Sequence, residues 1–287
     1  MNSLRKLTYP YVGWMALFIA VPTFLILLYA FTAQGNDVVS IQFTLDNFRK
    51  FLDPLFISIL WKSLVIAFQT TILCLLLGYP VAFVISRMNQ KHQLLMVLLI
   101  TMPTWINMLI RTYAWISLLS DHGIINNFLS MLGIGPLKMM YTDFAVVLGM
   151  VYNFLPFMIL SIYTQLAKLD NSLIDASYDL GANRFMTFRK VIFPLSIPGV
   201  LSGITLVFLP AVSSFVIPKF LGGGSYVLIG NLIETQFIVS GQWNFGSAVS
   251  LIMTIIILIS MSVTRRLEKN VEEESSKQER GLHLDTK

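Results

Sequence analysis

The hydrophobic residues of this chain fall in long uninterrupted runs, not in the short alternations that half-buried strands show. A helix needs about 20 apolar residues to cross the hydrocarbon core of a bilayer. Six runs of about this length are separated by polar segments. We therefore predict an all-α membrane protein with six transmembrane helices, at about 11–32, 60–86, 94–119, 144–166, 195–217 and 245–263.

The composition leaves little room for a soluble domain. Hydrophobic residues make up 55% of the 287-residue chain and charged residues 12%, against about 25% in soluble domains. We divide the chain into an amino-terminal segment (1–9), a transmembrane domain (10–264) and a charged tail (265–287), whose end we expect to be disordered. The first run is longer than a signal-peptide core and no clear small-residue cleavage site follows it, so we interpret it as an uncleaved span.

The positive charges predict the orientation. Cytosolic loops of membrane proteins carry an excess of Lys and Arg. Both termini and the loops after the second and fourth spans hold fourteen of the 20 cations, so these parts are expected in the cytosol of a cell-membrane protein. The fourteen are Arg5, Lys6, Arg87, Lys91, Lys168, Arg184, Arg189, Lys190, Arg265, Arg266, Lys269, Lys277, Arg280 and Lys287.

No pattern in the sequence indicates catalysis or a cofactor. The single cysteine, Cys74, falls inside a span, and the three histidines are scattered. The G-x-x-x-x-G-K-[S/T] phosphate loop does not occur, so the chain is not expected to hydrolyse ATP itself. The basic excess follows membrane topology, and neither a metal site nor a nucleic-acid partner is predicted.

The loop between the fourth and fifth spans (167–194) predicts two short helices. Ser172-x-x-Asp175 fits a capping box at the start of the first helix, in which Leu173, Ala176 and Leu180 share a face. Gly181 suits the left-handed residue that ends a helix.

A second short helix is predicted after Asn183, which can cap it. Phe185, Phe188 and Ile192 form its apolar stripe, and Pro194 is expected to end it. The pair would present an apolar ridge to water, which is typical of a docking surface for a partner. An ordinary amphipathic loop is the alternative interpretation.

Polar and aromatic residues within the third span indicate a transport path. Arg111 would cost roughly 2.5–3.5 kcal/mol near the bilayer centre, so it should face protein or a wet cavity. Asn107 and Trp115 can share its helical face, and Trp105 lies nearby. Two roles are open for Arg111. It lines the path or its outer gate, or it is a structural anchor paired with a lipid headgroup or with Asp121.

Further path candidates lie in other parts of the chain. Tyr152 and Asn153 are at mid-depth in the fourth span, where interhelical hydrogen bonding is the alternative role. Glu234 precedes Phe237 and Trp243, and a carboxylate beside aromatic faces attracts ammonium groups. A solvated loop acid is the alternative for Glu234.

The 167–194 loop resembles the EAA loop of ABC-importer permeases. The match is Asp175-Ala176-Ser177, then Gly181 and Pro194 at the family's spacing, with Asp in place of Glu and Ser in place of the second Ala. The resemblance implies contact with an ATPase subunit. The residues that it assigns to this coupling are Asp175, Ala176, Ser177, Leu180, Gly181, Phe185, Phe188 and Pro194.

The rest of the chain is similar to the spermidine/putrescine importer permeases, in particular to the first of their two permease subunits. Stretches that carry the resemblance include 77–86, 109–115, 152–163 and 230–248, although Asn244 stands where Pro is expected. The resemblance implies a type I (MetI-like) ABC importer fold and polyamine transport. It also implies a second permease as heterodimer partner, a cytosolic ATPase dimer that binds ATP-Mg, and an extracellular or periplasmic binding protein.

Two other functions compete with this interpretation. The chain could serve an ABC importer of another small solute. A stand-alone secondary transporter would need carboxylates or a proton relay within the spans, and the predicted spans hold almost no acids.

Overall fold

The structure, a computed structural model, describes the backbone of residues 9–33 and 42–284, and the side chains of these residues up to 267 and at 269. The predicted amino-terminal segment 1–9 lies almost wholly outside the described residues. Helices account for most of the described backbone. They are α1 (Tyr9–Ala30), α2 (Asp46–Phe51), α3 (Pro54–Ser86), α4 (Gln90–Trp105), α5 (Met108–Leu119), α6 (Ile124–Met131), α7 (Asp143–Leu166), α8 (Asn171–Asp179), α9 (Arg184–Ser213), α10 (Val216–Leu221), α11 (Ile229–Glu234) and α12 (Trp243–Leu284).

Five of the described helices are long and apolar enough to cross a membrane: α1, α3, α7, α9 and the Trp243–Leu267 part of α12. The segment α4 with α5–α6 qualifies as a sixth span only if the bent pair is counted as one. The helical fold and five to six spans agree with the sequence prediction. The last helix continues into the charged tail as far as Leu284, and the final three residues, where we expected disorder, are not described.

The predicted continuous third span at 94–119 is wrong. The chain bends by 90° between Gln90–Trp105 and Met108–Met131. Pro103 lies in a tight 3-10 turn, Met102–Trp105, and Asn107 caps the next helix by accepting a 2.8 Å hydrogen bond from the Leu109 N–H. A proline removes a backbone donor, and a capping Asn starts a new helix, so the apolar run is interrupted here.

The core of the bundle is formed by α3, α7 and α9, which pack against one another. Two glycines four residues apart, Gly199 and Gly203, let α9 approach α7 closely. A side chain at Gly199 would come within 2.7 Å of the Gln165 Cβ. Small residues at this spacing are the usual means of close helix packing in membranes. The Ser161 hydroxyl adds a 2.9 Å hydrogen bond to the Gly199 carbonyl.

The first helix, α1, lies at the periphery and packs on α12. Asn244 joins the two, because its side-chain amide donates to the carbonyls of Tyr29 (3.1 Å) and Thr32 (2.8 Å) and reaches the Thr32 hydroxyl at 2.9 Å. Asn47 donates to the same turn, at the Ala30 and Thr32 carbonyls. The residue that departs from the family's Pro therefore closes a network that a proline could not form.

Between the fifth and sixth spans the chain folds into short helices. The sequence predicted an apolar helical piece at 232–238, and the structure confirms it as α11 followed by a π-helical turn, Thr235–Val239. The Ser63 hydroxyl of α3 accepts a 2.8 Å hydrogen bond from the Ile229 N–H. This contact satisfies a backbone donor at the start of α11 and fixes the short helix on the core.

Candidate coupling site and transport path

The first helix of the 167–194 loop, α8, begins at Asn171, and its cap lies two residues before the predicted one. The capping box at Ser172 and Asp175 is wrong, because Asp170 caps the helix and accepts a 2.9 Å hydrogen bond from the Ser172 N–H. That bond lowers the pKa of Asp170, because it favours the charged form of the carboxyl group. Asp175 itself is exposed on the first helix.

The end of α8 is built on Gly181. Its φ of +79° lies in the left-handed region, as the sequence predicted. The Gly181 N–H donates to the Tyr178 carbonyl (2.8 Å) and the Ala182 N–H to the Ser177 carbonyl (3.0 Å), which is the Schellman pattern of helix termination. This motif sets the angle at which the chain leaves α8.

The apolar face of α8 points away from the protein. Leu173 and Ala176 are exposed, and Leu180 is 89% exposed. Ile174 and Ser177 lie on the opposite, buried face. The Ser177 hydroxyl lies 2.8 Å from the Thr187 hydroxyl of α9. Ser177 therefore fastens the two helices of the loop and does not belong to the exposed surface.

The second helix of the loop is the first part of the fifth span, and the prediction that Pro194 ends it is wrong. Asn183 caps it as predicted, accepting from the Met186 N–H at 2.8 Å, and α9 then continues to Ser213. The Phe188–Ile192 turn is π-helical, and the Phe193 N–H donates to the Phe188 carbonyl. The wider turn accommodates Pro194, since its ring would clash in a regular α-helix.

The two phenylalanines of this helix have different surroundings. Phe185 is 71% exposed, beside the surface of α8. Phe188 points inward and corrects the predicted exposed stripe: its ring lies 5.9 Å from Tyr79 and 5.8 Å from Phe83, both edge-on. The Tyr79 hydroxyl is also 2.8 Å from that of Ser196. The aromatic cluster joins the start of α9 to α3.

The loop is thus a hydrogen-bonded corner with an apolar outer surface. Leu180 and Phe185, with Ala176 between the polar residues of α8, form the exposed apolar surface. The helix α9 is continuous from this corner into the bundle. Such a surface can bind a partner and convey its movement.

The candidate path residue Arg111 lies on α5, after the bend. Its Nε and Nη1 atoms are buried and have no hydrogen-bond partner within the described part of the chain. The proposed pairing with Asp121 is absent there. Asn107 caps α5, so its side chain does not extend Arg111's face as predicted, and Trp105 is 73% exposed at the bend.

Two of the predicted path residues are brought together. The rings of Trp115 and Tyr152 meet edge-on with 5.4 Å between centroids, which joins α5 to α7. Asn153, beside Tyr152, is buried, and its amide donates to the Gly149 carbonyl of its own helix at 2.8 Å. Its Oδ1 has no partner among the described residues.

The remaining candidates, Glu234 and Trp243, belong to the short-helix region. The Glu234 carboxylate lies 2.6 Å from the Lys219 ammonium, a partner that was not predicted from the sequence. The Trp243 ring contacts Phe237 edge-on at 5.9 Å. The same ring is 6.2 Å from Tyr29. The predicted path residues therefore lie in three places: the contact between α5 and α7, the short helices between the last two spans, and the bend at Trp105.

A bundle of helices long and apolar enough to cross a membrane indicates an integral membrane protein, and comparison with known proteins gives its family. The family described as binding-protein-dependent transport system inner membrane component matches residues 1–273. The chain belongs to this family. The predicted resemblance to the permeases of binding-protein-dependent importers is thereby confirmed.

Two curated relatives cover nearly the whole chain. The spermidine/putrescine transport system permease protein PotB of Haemophilus influenzae is 39% identical over 272 residues, which cover 93% of this chain and 95% of that protein. PotB of Escherichia coli is 40% identical over 268 residues, covering 91% of this chain and 98% of that protein.

Solved structures confirm the predicted permease fold. A chain of the bacterial alginate ABC transporter, in complex with an alginate-bound periplasmic protein, superposes with a TM-score of 0.75 at 15% identity, covering 93% of this chain and 95% of that chain. A chain of the MetNI methionine ABC transporter gives a TM-score of 0.57 at 18% identity, covering 75% of this chain and 95% of that chain.

Proposed function

We propose that the chain is a permease subunit of an ABC importer for polyamines, spermidine or putrescine. The observation that carries the proposal is the identity of 39–40% to PotB permeases over at least 91% of the chain. The subunit would form half of the path, with a second, different permease as the other half. An extracellular or periplasmic binding protein would deliver the substrate.

In this proposal the chain is not itself an enzyme. A cytosolic ATPase dimer binds and hydrolyses ATP-Mg and grips the exposed corner of the 167–194 loop. Ala176, Leu180 and Phe185 make the contact, and Gly181 sets its angle. Ser177, Phe188 and Pro194 hold the corner to the bundle, and Asp175 lies on its polar edge. Both termini lie in the cytosol, since the basic residues are concentrated there.

The substrate path is proposed to follow α5, α7 and the short helices between the last two spans. Arg111, Trp115, Tyr152 and Asn153 line one part of it. Trp105 and Asn107 mark the bend, at one edge of the path. Glu234 and Trp243 contribute a carboxylate and an aromatic face, which suit a substrate made of ammonium groups on an alkyl chain.

Uptake into vesicles tests the proposal. The complete importer is reconstituted into proteoliposomes and supplied with radiolabelled spermidine or putrescine, with and without the binding protein and ATP. Accumulation that requires ATP and the binding protein is expected. ATP-dependent uptake of a different solute, with no polyamine uptake, would replace polyamines as the substrate. Uptake by this chain alone would contradict an ATPase-coupled mechanism.

A further inference from the structure

The ion pair between Lys219 and Glu234 is isolated in its part of the chain. From residue 195 to residue 264 the sequence holds no other Lys, Arg, Asp or Glu. Lys219 and Glu234 are fifteen residues apart in the sequence, and the lysine Nζ lies 2.6 Å from the glutamate Oε1. Seventy residues that cross the membrane twice therefore keep one acid and one base, and place them in contact.

The two partners differ in exposure. The Glu234 side chain is 15% exposed, whereas that of Lys219 is 48% exposed. Because the Glu234 carboxylate is less hydrated than an exposed acid, it gains more from a nearby cation than an exposed acid does. The lysine has a flexible stem and access to solvent. The acid is thus the fixed member of the pair and the ammonium the displaceable one.

Both residues lie on short helices that do not span the membrane. Lys219 is on α10, which packs against α5 and α7, and the neighbouring Phe220 ring lies 5.2 Å from Tyr113 of α5. Glu234 is the last residue of α11, which packs on α12. The ion pair therefore links the side of the bundle that carries Arg111 to the side that carries Trp243.

The surroundings of Glu234 suit an ammonium group. It directly precedes the π-helical turn Thr235–Val239, a feature common at functional sites. Phe237 in that turn meets Trp243 edge-on at 5.9 Å, and Trp243 is 52% exposed. A carboxylate and an aromatic pair close together in the chain are groups that attract cations with an apolar stem.

We propose that Lys219 is a tethered occupant of a polyamine site on Glu234 and that an ammonium group of the substrate displaces it. The inference rests on the proposed function and names a residue of this subunit that receives a charge of the substrate. The exchange leaves Glu234 paired throughout, so no uncompensated carboxylate is formed. Neutral and anionic solutes cannot take the place of the lysine.

A second ion pair provides the matched control. Lys62 and Asp143 also join two elements, with 3.2 Å between Nζ and Oδ1, but the acid is 62% exposed and needs no permanent cation. Lys62 further lies 3.8 Å from the centroid of the Tyr226 ring. Removing the charge of Lys62 changes the net charge of the subunit by the same amount as removing the charge of Lys219.

The experiment measures binding of radiolabelled spermidine to the complete importer in nanodiscs, without the binding protein. Lys219→Met is expected to tighten binding about 3- to 10-fold, because a competitor that occupies the site has been removed. Glu234→Gln is expected to weaken it by about tenfold or more, and the double variant to behave like Glu234→Gln. Lys62→Met is expected to leave it unchanged.

A structural ion pair would give the opposite pattern. Lys219→Met would then weaken binding as Glu234→Gln does, and the double variant would restore it. Should Lys219→Met fail to assemble, Lys219→Arg decides the question: it keeps the pair but holds the carboxylate bidentately, so weaker spermidine binding is expected and unchanged binding would overturn the proposal. If Lys62→Met tightens spermidine binding as much as Lys219→Met does, the effect comes from the net charge of the subunit. That result would also overturn the proposal.

The failure of the exchange and the failure of the proposed function are distinguishable. If the wild-type importer takes up polyamine but the variants lack this pattern, the exchange alone is wrong. If the wild-type importer neither binds nor takes up polyamine, both are wrong.

Discussion

Replacing Gly181 with alanine isolates the contribution of the loop angle. No atom lies within 4 Å of the position where the new Cβ would be, so the substitution causes no clash. Its cost comes from the backbone, since the φ of +79° is disfavoured for an L-residue by about 1–2 kcal/mol. Alanine also lowers the conformational entropy of the unfolded chain, which stabilises the folded state by about 0.4–1 kcal/mol. The net cost is about 1 kcal/mol.

A cost of about 1 kcal/mol changes the free energy of unfolding little. It has a larger effect on the ratio between this loop conformation and a competing one. A difference of about 1 kcal/mol changes the ratio of two conformations about fivefold. We therefore expect Gly181→Ala to lower polyamine uptake per ATP hydrolysed about fivefold in proteoliposomes, while ATP hydrolysis continues. Gly181→Asn should restore much of the ratio, because Asn adopts the left-handed region more readily.

The chain supplies a matched control at Gly133. Its φ is +76°, no atom lies within 4 Å of its added Cβ, and it ends α6 with the same pair of backbone hydrogen bonds. Gly133→Ala should lower the melting temperature as much as Gly181→Ala, by about 2–4 °C, and leave uptake per ATP unchanged. If Gly133→Ala and Gly181→Ala show the same polyamine uptake per ATP hydrolysed, the bend at Gly181 has no special role in coupling.

Three further substitutions test other parts of the account. Phe185→Asp is expected to leave the thermal stability of the purified chain nearly unchanged, since the side chain is 71% exposed, and to abolish co-purification of the ATPase; retained ATPase would contradict the contact. Asn244→Ala removes the hydrogen bonds to Tyr29 and Thr32 and should cost about 1–3 kcal/mol, measured by thermal unfolding in detergent; an unchanged melting temperature would show that this network is not needed. Ser177→Ala should cost about 1 kcal/mol and lower uptake per ATP, whereas normal coupling would show that Thr187 needs no partner.

The sequence predicted the features that local chemistry decides. Membrane spans follow from the length of apolar runs, and the left-handed Gly181 and the cap at Asn183 follow from what those residues favour locally. The family resemblance was carried by spacing and was confirmed over 1–273. These are the features for which nearest neighbours along the chain are sufficient.

The wrong predictions concern residues that have two local solutions. Pro194 can end a helix or lie within one after a widened turn, and the π-helical turn before it permits the second. Asp170 and Ser172 are both good caps, and the sequence alone does not rank them. An apolar run does not show where a helix breaks within it, so the bend before Met108 was missed.

The missed features depend on contacts between distant residues. Phe188 repeats the spacing of an exposed stripe, yet Tyr79 and Phe83 draw it inward. The Lys219–Glu234 pair and the three hydrogen bonds of Asn244 join segments that the sequence leaves unrelated. A signal was present for the ion pair, because both charges stand alone in a long uncharged stretch.

Site-directed cross-linking tests most directly the claim that a separate ATPase grips the exposed corner. The only native cysteine, Cys74, is buried, so a cysteine introduced at Leu180, which is 89% exposed, can be addressed selectively. Leu132, which occupies the same position at the end of α6 and is 61% exposed, is the control. With a thiol–amine cross-linker and the complete importer in membrane vesicles, Leu180→Cys should form a product with the ATPase and Leu132→Cys should not. A Leu180→Cys importer that transports normally and cross-links to no other subunit would contradict the account.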